Sequence, residues 1–301
     1  MKNLNKLNSW HVTGFADGES CFYISIGKNN KFKTGWKVQA YFQIELHKKD
    51  RALLLSIQSF FGGVGRISKH RKEYIQYRVT SLKDLAIIIN HFDRYPLLTQ
   101  KQADFIFLKQ AYELIKNKEH LTTQGLLKIV SIRASMNKGL TKVLNTAFPN
   151  ITPIPRPLVQ LPEKIDHYWV AGFVCAEGCF QVKIRKFPTH KLGTRVELVF
   201  TVVQHSRDEE LLKALIMIFN CGRYTLRKNK LAGDFVVYKT SDVQLKIVPF
   251  FDQYSLQGEK SLDFADFKRA SDIMKSGGHL TPEGLEQINK IKEGMNTGRS
   301  R

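Results

Sequence analysis

The stretches Val12-Thr13-Gly14-Phe15-Ala16-Asp17-Gly18-Glu19 and Val170-Ala171-Gly172-Phe173-Val174-Cys175-Ala176-Glu177-Gly178 are two versions of one pattern, and they decide how this sequence is interpreted. Each predicts a short helix with glycine in its interior, where glycine costs about 1 kcal/mol relative to alanine. A sequence that accepts this cost twice needs a close approach of two backbones. We therefore expect Gly14 and Gly172 to lie at a contact between the two helices.

The acidic residue near the end of each stretch is the candidate functional group. Packing the two helices backbone to backbone would bring Glu19 and Glu177 side by side, where two ionised carboxylates repel each other. A divalent cation removes that repulsion, and Mg²⁺ prefers hard oxygen ligands. The pattern therefore predicts a metal site made by Glu19 and Glu177, with the carbonyl groups of Gly18 and Ala176 as further ligands.

The rest of the chain repeats in the same order. His120-Leu121-Thr122-Thr123-Gln124-Gly125-Leu126 returns as His279-Leu280-Thr281-Pro282-Glu283-Gly284-Leu285, an offset of 159. Asp93, Tyr95, Lys101, Phe105 and Met136-Asn137 recur at the same offset, whereas Gly14-Phe15, His47 and Asp50 recur at 158. An ordered series of matches across each half indicates a duplication, and two copies imply a pseudo-twofold pair.

A proline-rich segment separates the copies. Residues 138–165 carry Pro149, Pro153, Pro155, Pro157 and Pro162, which disfavour regular helix and predict an extended, stiff connector. The predicted organisation is an N-terminal half-domain over 1–137, a linker over 138–165 and a C-terminal half-domain over 166–301.

The hydrophobic periodicity switches in a fixed order within each copy. Ser9 and Asp166 are candidate caps of the two glycine-containing helices. From Trp36 to Leu46 apolar and polar residues alternate, which is typical of a strand with one buried face; in the second copy Val199 and Val203 interrupt the polar phase. Helix and strand signals follow the order α-β-β-α-β-β-α(α) twice, which predicts an α+β fold with a four-stranded antiparallel sheet in each copy and helices on one face.

Composition points to an anionic partner. The chain has 301 residues, 43% of them hydrophobic, and a net charge of +20. The first 150 residues carry a net +14 and the remainder +6, so both halves are basic and nucleic acid is the leading candidate partner.

The sequence also disfavours other classes of protein. No apolar run has the length of a membrane span, and the N-terminus has no apolar secretory stretch. The cysteines Cys21, Cys175, Cys179 and Cys221 form no Cys-x-x-Cys pair, so we expect small buried thiols rather than a zinc site, with Cys175 and Cys179 one helical turn apart.

The paired stretches and the paired His-Leu-Thr-x-x-Gly-Leu segments resemble the LAGLIDADG homing endonucleases, specifically the monomeric two-repeat class encoded in organellar introns. The resemblance covers essentially the whole chain. It implies that the last acid of each motif, Glu19 and Glu177, binds catalytic metal. Two positions depart from the pattern: Cys175 stands where the first copy has Asp17, and Ser20 stands where the family usually has glycine.

The resemblance further implies metal-assisted hydrolysis of both strands of a long double-stranded DNA target, each cut once across the minor groove to leave 3′ overhangs. Mg²⁺ is the implied cofactor; Mn²⁺ or Ca²⁺ can substitute in the site, Ca²⁺ without supporting cleavage. Lys101 and Lys260, equivalent at a predicted helix start, are candidates for positioning solvent and spreading charge, with Gln204 as a third. His47 and His205 also recur, but a histidine at a strand end is more often structural.

The polar faces of the strands are the predicted DNA-binding surface, because a twisted sheet fits the major groove and each copy would take one half-site. The unlike side chains of the copies predict a non-palindromic target. The candidates are Tyr23, Ser25, Lys37, Gln39, Tyr41, Gln43, Gln76 and Arg78 in the first copy, and Gln181, Lys183, Arg185, Arg195, Glu197, Arg223, Thr225, Arg227 and Lys239 in the second.

Two other functions share this scaffold. An intron maturase would bind RNA and could retain both acids, and an inactive regulator would bind DNA without cutting it. A mitochondrial location, with synthesis inside the organelle, is expected from the resemblance alone.

Overall fold

The protein is described as a computed structural model, in which residues 7–190 and 192–300 are placed. The chain divides into two compact units between Lys164 and Ile165.

The first unit follows the predicted order of elements. Its helices and strands are α1 (Ser9–Glu19), β1 (Ser20–Lys28), β2 (Trp36–His47), α2 (Arg51–Phe60), β3 (Arg66–Arg71), β4 (Tyr74–Val79), α3 (Leu82–Arg94), α4 (Lys101–Lys116), α5 (Thr123–Ala134) and α6 (Lys142–Ala147). Single 3₁₀ turns lie at Lys48–Asp50 and Glu119–Leu121.

The second unit repeats that order. Its elements are α7 (His167–Glu177), β5 (Gly178–Lys186), β6 (Thr194–His205), α8 (Glu209–Phe219), β7 (Arg223–Leu226), β8 (Ala232–Val237), α9 (Thr240–Asp242), a π-helical turn (Val243–Ile247), α10 (Val248–Gln253), α11 (Glu259–Lys275) and α12 (Pro282–Glu293). Further 3₁₀ turns lie at Ser206–Asp208, Gly278–Leu280 and Asn296–Ser300.

Each unit contains one four-stranded antiparallel sheet. The strand orders are β1-β2-β4-β3 and β5-β6-β8-β7, so the two sheets have the same topology. Along β2 every second side chain from Val38 to Leu46 is buried, and the residues between them are partly exposed. The alternation gives each sheet a face under the helices and an outward face, and the α+β fold predicted from the sequence is confirmed.

Phenylalanine fills both cores. In the first unit the ring of Phe22 lies 5.3 Å from the rings of Phe42 and Phe92. In the second unit Phe180 lies 5.0 Å from Phe200 and 5.7 Å from Phe251. Phe92 belongs to α3 and Phe251 to α10, so these rings pack each sheet against a helix of its own unit.

The helix caps were predicted correctly in one copy and wrongly in the other. Asp166 caps α7, since its Oδ1 accepts a hydrogen bond from the Tyr168 amide at 2.8 Å. Asn8 rather than Ser9 caps α1, because the Asn8 Oδ1 accepts from the Trp10 amide at 2.8 Å while Ser9 is already helical. Asparagine and serine are equally good caps, so the sequence could not separate two adjacent candidates.

The connector is not extended throughout. Helix α6 occupies its proline-free start, with Thr141 as cap, and the extended segment begins only near Pro149. Arg156 then ties the segment to the first unit, donating to Asp104 at 2.9 Å and to the Ser135 carbonyl at 2.6 Å. The expectation of no regular helix in 138–165 was therefore wrong for residues 142–147, which precede every proline of that segment.

A π-helical turn distinguishes the second unit. Residues 243–247 form it, ending two residues before Pro249, whereas the first unit has the unbroken helix α3. Proline has no N–H and its ring clashes with the carbonyl four residues earlier in an α-helix. Widening the turn relieves that clash.

No helix within residues 7–190 and 192–300 combines the length and the apolar character needed to cross a membrane.

Candidate functional site

Each glycine-containing helix ends at its candidate acid. Glu19 is the last residue of α1 and Glu177 the last residue of α7, and a strand starts at the next residue in both units. Both side chains are partly exposed. Each acid therefore lies at the junction of a helix and a strand, beside the start of the outward face of the sheet.

Asp17 anchors the end of α1. It is 1% exposed, and its carboxylate accepts hydrogen bonds from the Leu98 amide at 2.8 Å and from the amide and hydroxyl of Thr99 at 3.0 and 2.6 Å. Burial raises the pKa of Asp17, against the opposing effect of these donors. The motif aspartate is thus structural, holding α1 to the loop before α4.

Cys175 takes the place of Asp17 in the second unit. Its Sγ accepts a hydrogen bond from the Gln257 amide at 3.2 Å, and Gln257 is the repeat equivalent of Leu98. The departure from the family pattern therefore preserves a hydrogen bond from the loop to the helix end.

The second departure, Ser20 in place of glycine, is also compensated. The Ser20 hydroxyl donates to the Ala16 carbonyl at 2.6 Å. A Cβ at the equivalent Gly178 would lie 2.5 Å from Val174 Cγ1, whereas the first unit has the smaller Ala16 at that position. The residue at the helix end is thus matched to the size of the side chain four positions earlier.

The side chains of the two candidate lysines contact the ends of the motif helices. Lys101 Nζ donates to the carbonyl oxygens of Ala16 at 3.1 Å and Gly18 at 2.8 Å, and Lys260 Nζ donates to that of Gly178 at 2.6 Å. These contacts put an ammonium group within two residues of each acid along the chain. The Gly18 carbonyl, which the sequence predicted as a metal ligand, therefore accepts a hydrogen bond from Lys101.

The end of each motif helix offers oxygen donors of the kind that a hard divalent cation binds, and such a cation would need further ligands from elsewhere. The carboxylates of Glu19 and Glu177 are oxygen donors at the negative ends of two helix dipoles, and neither of these fully described helices has a basic residue in its last turn. Among the described residues no cluster of three or more His, Cys, Asp or Glu side chains could hold a metal ion. Water and an anionic ligand would have to complete the shell.

Gln204 lies near the end of β6. It pairs with Gly233 in the register, and its Oε1 accepts a hydrogen bond from the His205 amide at 2.9 Å. It shares the strand face of Phe200 and Val202 under the helices, although its own side chain is partly exposed.

His47 and His205 have structural contacts. The His47 Nδ1 accepts from the Lys49 amide at 3.3 Å, and the His205 Nδ1 accepts from the Arg207 amide at 3.1 Å. Each imidazole caps the 3₁₀ turn that follows its strand, which agrees with the structural interpretation of the repeat.

The predicted DNA-binding residues of the first unit share the outward face of its sheet. Tyr23 pairs with Tyr41, Ser25 with Gln39, Gly27 with Lys37, and Gln43 with Arg78. Gln76 differs from the rest of this set: it is 5% exposed and donates its amide to Gln43 Oε1 at 2.9 Å.

A stack of two tyrosine rings between two guanidinium groups lies on this face. The Arg133 guanidinium lies 4.6 Å from the centre of the Tyr23 ring, Tyr23 lies 5.2 Å from Tyr41, and the Arg78 guanidinium lies 4.5 Å from the Tyr41 ring. Arg78 Nη2 also donates to Gln43 Oε1 at 3.0 Å. Neighbouring side chains thus hold these groups in place before any ligand binds.

The second sheet presents a different outward face. Gln181, Lys183 and Arg185 pair with Val199, Glu197 and Arg195, and Thr225 pairs with Asp234. Glu197 lies between two arginines, 3.1 Å from Arg185 and 3.4 Å from Arg195. Arg227 makes a bidentate pair with Asp234 at 2.7 and 2.6 Å, and Lys239 is exposed just beyond β8.

Residues that the sequence did not single out also lie on these faces, because register places them beside the predicted ones. They are Glu45, Arg66 and Ser68 in the first unit, and Thr201, Asp234 and Val236 in the second. Alternation in β3 and β8 was the available signal, but both strands are only six residues long.

All four cysteines are free thiols, yet only two are buried. Cys21 and Cys179 lie partly exposed on the outward faces, paired with Gln43 and Thr201. Helix α7 ends at Glu177, so the expectation that Cys175 and Cys179 lie one helical turn apart was wrong.

The fold and the repeated motif define a two-repeat endonuclease scaffold. The family model described as "LAGLIDADG endonuclease" matches residues 12–112 and 170–271, once in each unit. The chain belongs to the LAGLIDADG endonuclease family.

Individual proteins give the same assignment. A "Probable intron-encoded endonuclease 2" from Neurospora crassa is 40% identical over 96% of this chain, and a "Probable intron-encoded endonuclease 3" from the same fungus is 38% identical over 95% of it. The chain spans 65% and 54% of the lengths of these two relatives.

The solved structures include the I-SmaMI LAGLIDADG homing endonuclease bound to cleaved DNA. It is 43% identical to this chain, with a TM-score of 0.95 and 98% of both chains covered. I-SmaMI has also been solved with uncleaved DNA in the presence of calcium ions, and with two lysines replaced by alanine.

Proposed function

We propose that this protein is a site-specific homing endonuclease that binds a long, non-palindromic DNA duplex as a monomer and hydrolyses both strands, leaving 3′ overhangs. One observation carries the proposal: both motif helices end in a glutamate, and both helix ends are contacted by a repeat-equivalent lysine. Family membership and the DNA-bound structures of I-SmaMI support it.

Glu19 and Glu177 are the proposed metal ligands, with the Gly18 and Ala176 carbonyls as candidates for further ligands. A divalent cation, Mg²⁺ in the cell, would supply Lewis-acid activation of water and neutralise charge on the attacked phosphate and its leaving 3′ oxygen. The calcium-containing complex of I-SmaMI supports a divalent-cation site in general.

Lys101 and Lys260 are the proposed positioning residues. A lysine ammonium group anchored on helix-end carbonyls keeps a positive charge near the acids, where it spreads negative charge that develops on the phosphate. The two lysines replaced in the I-SmaMI double variant are 159 positions apart, the same separation as between Lys101 and Lys260. Gln204, which sits at one end of β6, is proposed to orient solvent.

The outward sheet faces are the proposed DNA-binding surfaces, one for each half-site. Their strand pairing aligns basic, amide and aromatic side chains on neighbouring strands about 4.8 Å apart. The major groove of the duplex is wide enough to admit two such strands. The predicted division into half-domains 1–137 and 166–301 with a linker between them is retained in this proposal. A mitochondrial site of action is proposed on the basis of the intron-encoded relatives.

The decisive experiment replaces each acid separately. We expect Glu19→Gln or Glu177→Gln to abolish Mg²⁺-dependent cleavage of a duplex selected by the wild-type protein, because an amide does not provide the charge that holds the cation. Affinity for that duplex in EDTA and the unfolding temperature should change little. As a matched control, Glu113→Gln on the exposed side of α4 should leave cleavage intact.

Retention of cleavage by either acid variant would contradict the assignment of the site. Binding of intron RNA is the remaining alternative, and filter binding with the host intron RNA separates it from DNA binding. A chain that binds DNA but cuts no selected duplex would be a regulator on this scaffold.

A further inference from the structure

The strand registers place two corresponding rows of side chains beside the proposed acids. Across the first sheet Cys21 pairs with Gln43, Gln43 with Arg78, and Arg78 with Arg66. Cys21 is two residues after Glu19, so this row is the part of the outward face nearest to that acid along the strand.

The second sheet has the same row with different chemistry. Cys179 pairs with Thr201, Thr201 with Val236, and Val236 with Arg223. Cys179 is two residues after Glu177. Both rows have a cysteine at one end and an arginine at the other. The two residues between them are Gln43 and Arg78 in the first unit and Thr201 and Val236 in the second.

Arg78 is fixed for recognition by contacts on two sides. Its guanidinium lies over the Tyr41 ring at 4.5 Å and donates one hydrogen bond to Gln43 Oε1 at 3.0 Å. Tyr41 is itself packed on Tyr23, and Tyr23 on Arg133. A guanidinium has five N–H donors, so one bond to Gln43 leaves donors that can form the bidentate pair with guanine O6 and N7.

Val236 offers no hydrogen bond from its side chain. It is partly exposed in the middle of the row, next to Thr201, whose methyl group adds to the apolar surface. In the major groove the apolar feature of a base pair is the 5-methyl group of thymine. A guanine or cytosine edge placed against Val236 would lose hydrogen bonds to water that the valine side chain cannot replace.

We propose that Arg78 and Val236 are repeat-equivalent specificity determinants of opposite kinds. Arg78 selects guanine in the half-site bound by the first unit, and Val236 selects thymine, through its methyl group, in the half-site bound by the second. This inference rests on the proposed DNA-binding function, and it assigns to one row of each sheet the difference between the half-sites.

The protein side of the test exchanges the two residues. Targets are first selected with the wild-type protein from a randomised duplex library, and base preference at each position is then measured for Arg78→Val and Val236→Arg. We expect Arg78→Val to lose at least about tenfold of the guanine preference at one position. Val236→Arg should replace thymine preference by guanine preference at one position of the other half-site, equally far from the target centre.

Matched controls separate recognition from general charge. Arg94→Val removes an exposed arginine at the end of α3, and Val143→Arg adds one on α6. Neither should alter base preference at any position. Unfolding temperatures identify a variant that has lost its fold.

The DNA side of the test needs only wild-type protein, so it is independent of folding defects. Replacing the selected thymine by deoxyuridine removes one methyl group and should weaken binding about fourfold, the value of one buried carbon. Replacing the guanine by 7-deazaguanine removes the N7 acceptor and should weaken binding at that position only.

The outcomes distinguish the inference from the function beneath it. If no duplex is selected, the proposed DNA function fails. If duplexes are selected but both exchanges leave the base preferences unchanged, or deoxyuridine and 7-deazaguanine bind as well as the natural bases, the assignment to Arg78 and Val236 is overturned while the function stands.

Discussion

Close backbone contacts explain why one glycine is repeated in both copies. Gly125 and Gly284 are the glycines of the two His-Leu-Thr-x-x-Gly-Leu segments of this chain. A Cβ at Gly125 would lie 2.0 Å from the Glu119 carbonyl oxygen, and one at Gly284 would lie 2.1 Å from the Gly278 carbonyl oxygen. The first turns of α5 and α12 therefore touch the preceding 3₁₀ turns too closely for any other residue.

We expect Gly125→Ala to lower the free energy of unfolding by about 3 kcal/mol, because the clashing atom belongs to the backbone and cannot rotate away. Gly27→Ala is the control, since no heavy atom lies within 4 Å of a Cβ there; its effect should stay within about 0.5 kcal/mol. Urea denaturation of both variants measures the difference. Equal stability of the two variants would contradict the close contact.

The residue scale also explains why the motif tolerates Cys175. Asp17 receives hydrogen bonds from two consecutive residues, Leu98 and Thr99. In the second unit Gly258 stands at the place of Thr99, so no side-chain hydroxyl is available there, and the Cys175 thiol accepts from the Gln257 amide. The two units therefore differ at both places, with Asp17 and Thr99 in the first and Cys175 and Gly258 in the second.

At the scale of elements, the junction between motif helix and strand depends on a matched pair of residues. The first unit combines Ala16 with Ser20, and the second combines Val174 with Gly178. Val174 is fully buried, so its methyl groups leave no room for a larger residue at Gly178. Each pairing keeps the strand starting directly after its acid.

We expect Gly178→Ser alone to destabilise the protein by about 2 kcal/mol through overpacking against Val174. In the double variant Gly178→Ser/Val174→Ala, which copies the first unit, the loss should be smaller than the sum of the single losses by about 1 kcal/mol. Thermal or urea unfolding of the four proteins completes the cycle. Strictly additive effects would show that the two side chains do not interact.

At the scale of the whole molecule, charge governs the encounter with DNA. The net charge of +20 includes exposed lysines and arginines on the outward sheet faces and on the loops at their edges. Each phosphate that a lysine or arginine neutralises releases condensed counterions. Binding of this kind therefore weakens as the salt concentration rises.

With phosphate contacts on the order of 10, log affinity should fall against log salt with a slope near −9. Fluorescence anisotropy with a selected duplex between low and physiological salt gives the slope. A shallow dependence would mean that most of the positive charge has another use.

Buried histidines make stability depend on pH. His11 and His91 are 4% and 8% exposed, and burial lowers the pKa of each from 6.5 to about 4. His91 Nε2 lies 3.0 Å from Thr13 Oγ1, and its ring stacks on Tyr95 at 5.3 Å. Well above pH 6.5 both imidazoles are neutral in the folded and in the unfolded chain. Their protonation therefore does not change the free energy of unfolding there.

Below pH 6.5 the unfolded chain takes up protons first, and we expect the free energy of unfolding to fall as pH drops from 6.5 toward 4. The full loss is on the order of 3 kcal/mol for each histidine. His91→Gln does not titrate, so it should be less stable than wild type at pH 7.5 but lose less between pH 6.5 and 5. Parallel curves for the two proteins would show that folding does not lower the pKa of His91.

The sequence by itself determined the duplication, the family, the order of elements and the alternating faces of the long strands. These features follow from periodicity and motif spacing, which are local properties of the chain. Helix α4 begins at Lys101, where the sequence predicted a helix start.

Only the tertiary structure decided which residues become neighbours across the strands. The stack of Arg133, Tyr23, Tyr41 and Arg78 joins residues up to 110 positions apart, and the row that contains Val236 exists only once β8 pairs with β6. Register depends on pairing energies between distant segments, and a shift of one residue would turn every side chain to the other face. The alternation along one strand cannot supply that information.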